Sequence, residues 1–161
     1  MNDGAGRDFT LEDLTKNLVV KADLLYKFVL LYSNYLSSSK DYGTGNMVSM
    51  VEVHTLTQIY DNPGITVTQL ANYWRRTKSA VSQTVGKLES RGLITRTVSE
   101  NNKKVYELYV TEEGRKLSAA HKAYDLVEIS HTLEDLLKTC TYDEIDTFYK
   151  VLESYIHLFE E

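Results

Sequence analysis

Over most of the chain, apolar residues return every three to four positions, the spacing that lines one face of a helix; only between residues 94 and 110 does the pattern turn to short β-rich runs. Leu11, Leu14, Leu18, Ala22, Leu25, Val29, Tyr32 and Leu36 predict one long first helix. Val19, Tyr26, Phe28 and Tyr35 add a second stripe, so this helix needs either deep burial or a second subunit. Ser, Gly, Asn and Asp crowd residues 37–46 and predict a loop. A helix then runs to about Tyr60, where Asn62-Pro63-Gly64 breaks it. A short helix carrying Leu70, Ala71 and Trp74 inward follows, then Arg75-Arg76-Thr77, then a helix over 78–91 closed by Gly92. After the two β runs, a long helix is expected towards Lys138. A last one carries Ile145, Phe148, Leu152, Tyr155, Ile156 and Phe159 and is too apolar to stand without a partner.

Helix starts are marked by one repeated signal, a Ser or Thr cap with an acceptor side chain three residues on, flanked by apolar residues that can staple. It occurs at Thr10/Asp13 with Phe9 and Leu14, and at Ser49/Glu52 with Val48 and Val53. It returns at Thr66/Gln69 with Ile65 and Leu70, and at Thr141/Glu144 with Cys140 and Ile145. Thr111 caps the long fifth helix, with Glu112 and Glu113 in the first turn where the helix dipole favours anions.

Within the 78–91 helix, Val81, Val85 and Leu88 share one face, and Lys78, Ser79, Ser82, Gln83 and Lys87 look outward. Such an outer surface, small, polar and basic, suits the major groove, where base edges are read by short polar side chains. The helix before it and the brief connection complete a helix-turn-helix. The β runs, 94–98 and 105–110, are joined by Ser99-Glu100-Asn101-Asn102-Lys103-Lys104 and form a hairpin placed as a wing. Phosphates are the expected partners of Arg75, Arg76, Thr77, Arg96, Asn101, Asn102, Lys103 and Lys104, together with Lys78 and Lys87. Ser79, Ser82 and Gln83 are the candidates for base edges.

Charge sharpens this assignment. The 161 residues carry a net charge of −5, which by itself argues against a nucleic-acid partner. Residues 69–104, however, hold eight Lys/Arg against two Glu, so the middle is basic and both ends are acidic.

Gln69-Leu70-Ala71, the run from Ser79 through Leu88-Glu89-Ser90-Arg91-Gly92-Leu93-Ile94-Thr95-Arg96, and Val110-Thr111-Glu112-Glu113-Gly114 together resemble the MarR family of winged-helix transcription regulators, over about residues 49–116. The resemblance implies a mainly α (α+β) winged helix-turn-helix fold with long N- and C-terminal dimerisation helices. Its parts would be a tail and dimerisation helix over 1–48, a DNA-binding lobe over 49–111 and dimerisation helices over 112–161. It further implies a cytoplasmic homodimer that binds a pseudo-palindromic double-stranded operator, typically as a repressor released by a small, often phenolic, effector. The wing departs from the family's Asp-x-Arg pattern and reads Asn102-Lys103-Lys104, so it is expected to make mainly phosphate contacts.

Tyr32, Tyr35, Met50 and His54 are the candidate walls of an effector pocket among twelve tyrosines that otherwise pack core and seam. His54, His121, His131 and His157 include no pair at helical ligand spacing, so neither metal nor cofactor is expected. Cys140, the single cysteine, is read as a packing residue rather than a redox switch. No membrane span is expected, since no run of about 18 apolar residues occurs. Absence of a phosphate loop, nucleophile elbow or HExxH argues against an enzyme. The competing function is a winged helix used as a protein-interaction module without DNA readout.

Overall fold

The computed structural model describes residues 10–159. Helix α1 (Leu11–Ser37) leads into a small hairpin, β1 (Ser39–Asp41) and β2 (Met47–Ser49), and then α2 (Met50–Asp61). A two-residue strand β3 (Ile65–Thr66), α3 (Val67–Tyr73) and α4 (Lys78–Ser90) follow. The wing is β4 (Ile94–Val98) and β5 (Tyr106–Val110), and the chain ends with α5 (Glu112–Leu136) and α6 (Tyr142–Leu158). The fold is the expected one: mainly helical, with a wing beside a helix-turn-helix.

The start signals work as their chemistry requires. Thr10, Ser49, Thr66 and Thr141 each accept the backbone N–H three residues on, and Asp13, Glu52, Gln69 and Glu144 each reach back to the cap N–H. Phe9, one half of the first expected staple, lies outside the described residues.

Two departures come from short strands. Residues 37–46 are not a plain loop: β1 and β2 pair antiparallel, Ser39 opposite Ser49 and Asp41 opposite Met47. Asp41 Oδ1 accepts the N–H groups of Gly43, Thr44 and Gly45 at 2.9, 3.0 and 3.0 Å, which makes the turn. The polar composition marks that turn but hides the three-residue strands beside it. Likewise Ile65 and Thr66, read as a staple and a cap, also pair with Leu108 and Glu107, giving a sheet of order β3-β5-β4.

The core lies under this sheet. Val53, Leu56 and Ile59 of α2, Leu70 of α3, Val85 and Leu88 of α4, Leu93, Leu108 and Leu117 are all fully buried. Helix α5 is pinned to the turn after α4, where the Thr111 N–H donates to Leu93 O at 3.0 Å and the Thr111 hydroxyl to Gly92 O at 2.7 Å. Gly114 lets the helix come that near: a Cβ there would stand 2.0 Å from Leu93 O.

The long helices contrast with this core. Leu18, Val19, Leu24, Tyr26, Leu31 and Tyr32 of α1 are each at least half exposed, and α6 buries none of its residues. Deep burial within one chain is therefore not how the two-sided apolar α1 is covered.

Gly114→Ala should cost about 3 kcal/mol of folding stability, since backbone must move to admit one methyl group. Urea unfolding checks this, and a loss under about 0.5 kcal/mol would contradict the close approach.

Candidate nucleic-acid interface

The two helices of the helix-turn-helix end in the same way. After α3, the N–H groups of Arg75 and Arg76 donate to Asn72 O at 3.2 Å and Ala71 O at 3.0 Å. After α4, those of Gly92 and Leu93 donate to Glu89 O at 2.9 Å and Leu88 O at 3.0 Å. Each pair is a Schellman turn and needs one residue in the left-handed region. Gly92 supplies it at φ 70°, as the sequence predicts, and Arg75 supplies it at φ 49°, where a side chain is strained by about 1 kcal/mol. Thr77 then caps α4, accepting the Ala80 N–H at 3.2 Å.

Val81, Val85 and Leu88 are buried, and Lys78, Ser79, Ser82 and Gln83 are exposed on the opposite face, beside exposed Arg75, Arg76 and Thr77. Lys87 is exposed but not left to solvent: its Nζ lies 3.8 Å from Glu52 Oε1. Glu52, only 5% exposed, also faces Arg91, whose Nη1 donates to Glu52 Oε2 at 3.3 Å and to Met47 O at 2.9 Å. The start of α2 thus holds the end of α4. Sequence reasoning saw Glu52 only as the capping partner of Ser49; nothing local announces that its carboxylate also serves a helix some forty residues away.

Arg96 sits differently from the other candidate phosphate ligands. Its side chain is 27% exposed, and its Nε forms an ion pair with Glu89 Oε2 at 2.9 Å, so it neutralises α4 at the root of the wing. The tip residues Asn101, Asn102, Lys103 and Lys104 are all exposed. Asn102 builds that tip, its Oδ1 accepting the Lys104 N–H at 3.0 Å and its carbonyl the Val105 N–H at 2.9 Å. Deeper in the wing, hydrogen bonds from Ser99 and Tyr109 hold the Glu107 carboxyl below the usual carboxylate range.

Tyr32, Tyr35, Met50 and His54 converge on one cavity of about 670 Å³ between α1, α2, α5 and α6. Three of them, Tyr32, Met50 and His54, also line a smaller cavity of about 350 Å³. That second cavity is completed by Trp74 and by Arg76, Val81 and Thr84, residues at and after the turn whose local pattern does not announce this placement. Both volumes suit a small organic ligand.

Behind His54, His121 of α5 is 1% exposed, and its Nε2 lies 3.2 Å from Asp125 Oδ2. Burial pushes the His121 pKa down, against the pull of Asp125. The Tyr42 ring packs edge-on to His121 at 5.0 Å, and burial beside the Asp125 carboxylate pushes its phenol up to about 12. The helical spacing of His121 and Asp125 was visible in the sequence, but a search confined to pairs of histidines passes over it.

The MarR family model matches residues 48–106. Over 84 residues the chain is 36% identical to the uncharacterized HTH-type transcriptional regulator YhjH of Bacillus subtilis (strain 168), covering 52% of this chain and 48% of YhjH. Over 99 residues it is 33% identical to YybA of the same organism, also an uncharacterized HTH-type transcriptional regulator, covering 60% of this chain and 62% of YybA. The chain thus spans about half to three fifths of the length of the relatives it matches. The crystal structure of Streptococcus pneumoniae FabT in complex with DNA shares the fold, with a TM-score of 0.62 at 22% identity over 92% of this chain and 98% of FabT. Residues 48–106 are thus similar to the MarR family model, and the helix, turn, helix and wing that this stretch forms are a winged helix-turn-helix.

Proposed function

We propose that this chain is a sequence-specific, dimeric DNA-binding transcription regulator, a repressor that a small aromatic ligand releases. The observation that carries the proposal is the outer face of α4. Lys78, Ser79, Ser82 and Gln83 stand exposed on a helix whose inner face is wholly committed to the core. Set in a major groove, Ser79, Ser82 and Gln83 hydrogen-bond base edges, Gln83 matching adenine. Lys78, Arg75, Arg76 and the Thr77 hydroxyl meet phosphates around the N-terminus of α4, where the dipole also favours them. Lys103 and Lys104 meet phosphates from the wing. Acidic flanking segments keep the duplex on this face alone.

Support for a homodimer comes from the uncovered apolar faces of α1 and α6, which a second copy would bury. Two-fold symmetry then sets two half-sites of a pseudo-palindrome about 34–36 Å apart. Support for an effector comes from the smaller cavity, whose wall includes Arg76, Val81 and Thr84. A phenolic ligand there presses on the turn and on α4 together and changes how α4 is presented. No described helix is long and apolar enough to cross a membrane, and the proposed role is cytoplasmic.

Three measurements test these parts. Selection of bound duplexes from a random pool should yield a palindrome. On it, Gln83→Ala should lose about 1–3 kcal/mol at one base position, and Lys104→Ala should weaken all sequences alike and lower the salt slope by about one unit. No binding of any duplex at low salt would leave the protein-interaction module as the better account. Light scattering on the full chain should give two copies, and a Phe148→Asp/Ile156→Asp variant should give one with its helix content intact; a monomeric wild type would sink the two-fold reading. Phenolic acids should alter Trp74 fluorescence and raise the melting temperature, and a broad panel without either effect would remove the effector.

A further inference from the structure

We infer that the β1–β2 hairpin is a strap through which α5 sets the position of the far end of α4, with Lys40 and Tyr124 as the positioning residues that fasten it. The first strand is tied to α5. Lys40 Nζ donates to the Tyr124 hydroxyl and stands 3.7 Å from the centre of its ring, and the Tyr42 ring packs edge-on to the same ring at 5.3 Å. The second strand is tied to α4. Met47, opposite Asp41, gives its carbonyl to Arg91 Nη1 at 2.9 Å, and Val48, opposite Lys40, is fully buried. That strand runs directly into α2, whose Glu52 receives the same guanidinium at 3.3 Å.

Three features let this connection carry a displacement. The hairpin is stiff: three residue pairs are in register, and Asp41 Oδ1 accepts three N–H groups of the turn. It also closes a circuit. Helix α5 is already welded to the turn after α4 at Thr111, and Tyr124 lies about 20 Å further along the same helix at 1.5 Å per residue. A tilt of α5 about its weld therefore reaches Arg91 through Tyr124, Lys40 and Met47. Finally, Lys40 and Tyr124 are only partly buried and neither belongs to the hydrophobic core, so the fastening can be cut with the core intact.

Lys40→Met removes the charge at similar length, and Tyr124→Phe removes the hydroxyl and keeps the ring. Each should speed amide hydrogen exchange at residues 88–93 about tenfold and leave α3 and β5 at wild-type rates. Lys40→Arg, which keeps a cation over the ring, should restore slow exchange. On the selected duplex, Lys40→Met should weaken binding about tenfold, but less than about twofold once Arg91→Met has cut the other end of the strap. Unchanged exchange at 88–93, acceleration spread evenly over the lobe, or losses from Lys40→Met and Arg91→Met that multiply would each overturn the inference. The duplex measurement rests on the regulator reading and the exchange measurement does not. A chain that binds no DNA would lose that reading, while exchange at 88–93 would still decide the strap.

Discussion

A carboxylate buried where α2 begins has three jobs at once, and the position of α4 depends on all of them. Glu52 accepts the Ser49 N–H as a helix cap, receives a guanidinium N–H from Arg91, and sits within reach of Lys87. Buried ion pairs contribute little net stability beside an apolar replacement, because desolvation offsets the attraction. What Glu52 supplies is geometry. Removing it would strand the Arg91 guanidinium, which also reaches Met47 O, and free the far end of α4. At its near end, α4 is held by the Thr77 cap and the Schellman turn, and along its length by Val81, Val85 and Leu88. A helix fixed at both ends and along one side presents its other side at a defined angle, which readout of base edges requires.

The long helices are attached to this lobe mainly at the first half of α5. Thr111 and Gly114 weld its start to the turn after α4, Leu117, Ser118 and His121 pack it on α2, and the later part of α5, with α1 and α6, keeps apolar faces uncovered. The cavities lie where these parts meet. Their shared residues Tyr32, Met50 and His54 belong to α1 and α2, so anything seated there touches a long helix and the α4 support together. Packed elements shift between discrete arrangements more readily than they deform, so the proposed effector would act through this junction.

The sequence disclosed whatever local chemistry determines. Four capping boxes, the Pro63 break, the Gly92 stop and the wing all follow from side chains close to the feature they make. Contacts between distant segments were not disclosed. The Glu52 clamp, the Arg96–Glu89 pair and the placing of Arg76 and Thr84 in a cavity wall arise only when helices are packed. Strands of two or three residues escaped because alternation needs about four positions to register. The residues proposed for DNA were legible as an exposed polar face, Lys87 among them; that Lys87 faces Glu52 and Arg96 pairs with Glu89 was not, since those partners come from other elements.

Arg75 carries one more consequence. It occupies a left-handed turn position where the equivalent turn after α4 uses Gly92, and glycine would relieve its strain. Ranked by thermal stability alone, substitutions at 75 put glycine near the top. Ranked by attraction for a polyanion, they put arginine there. Stability-guided engineering of this chain would therefore erode the charge of its proposed DNA face at the one non-glycine residue, among those described, that is held in such a conformation.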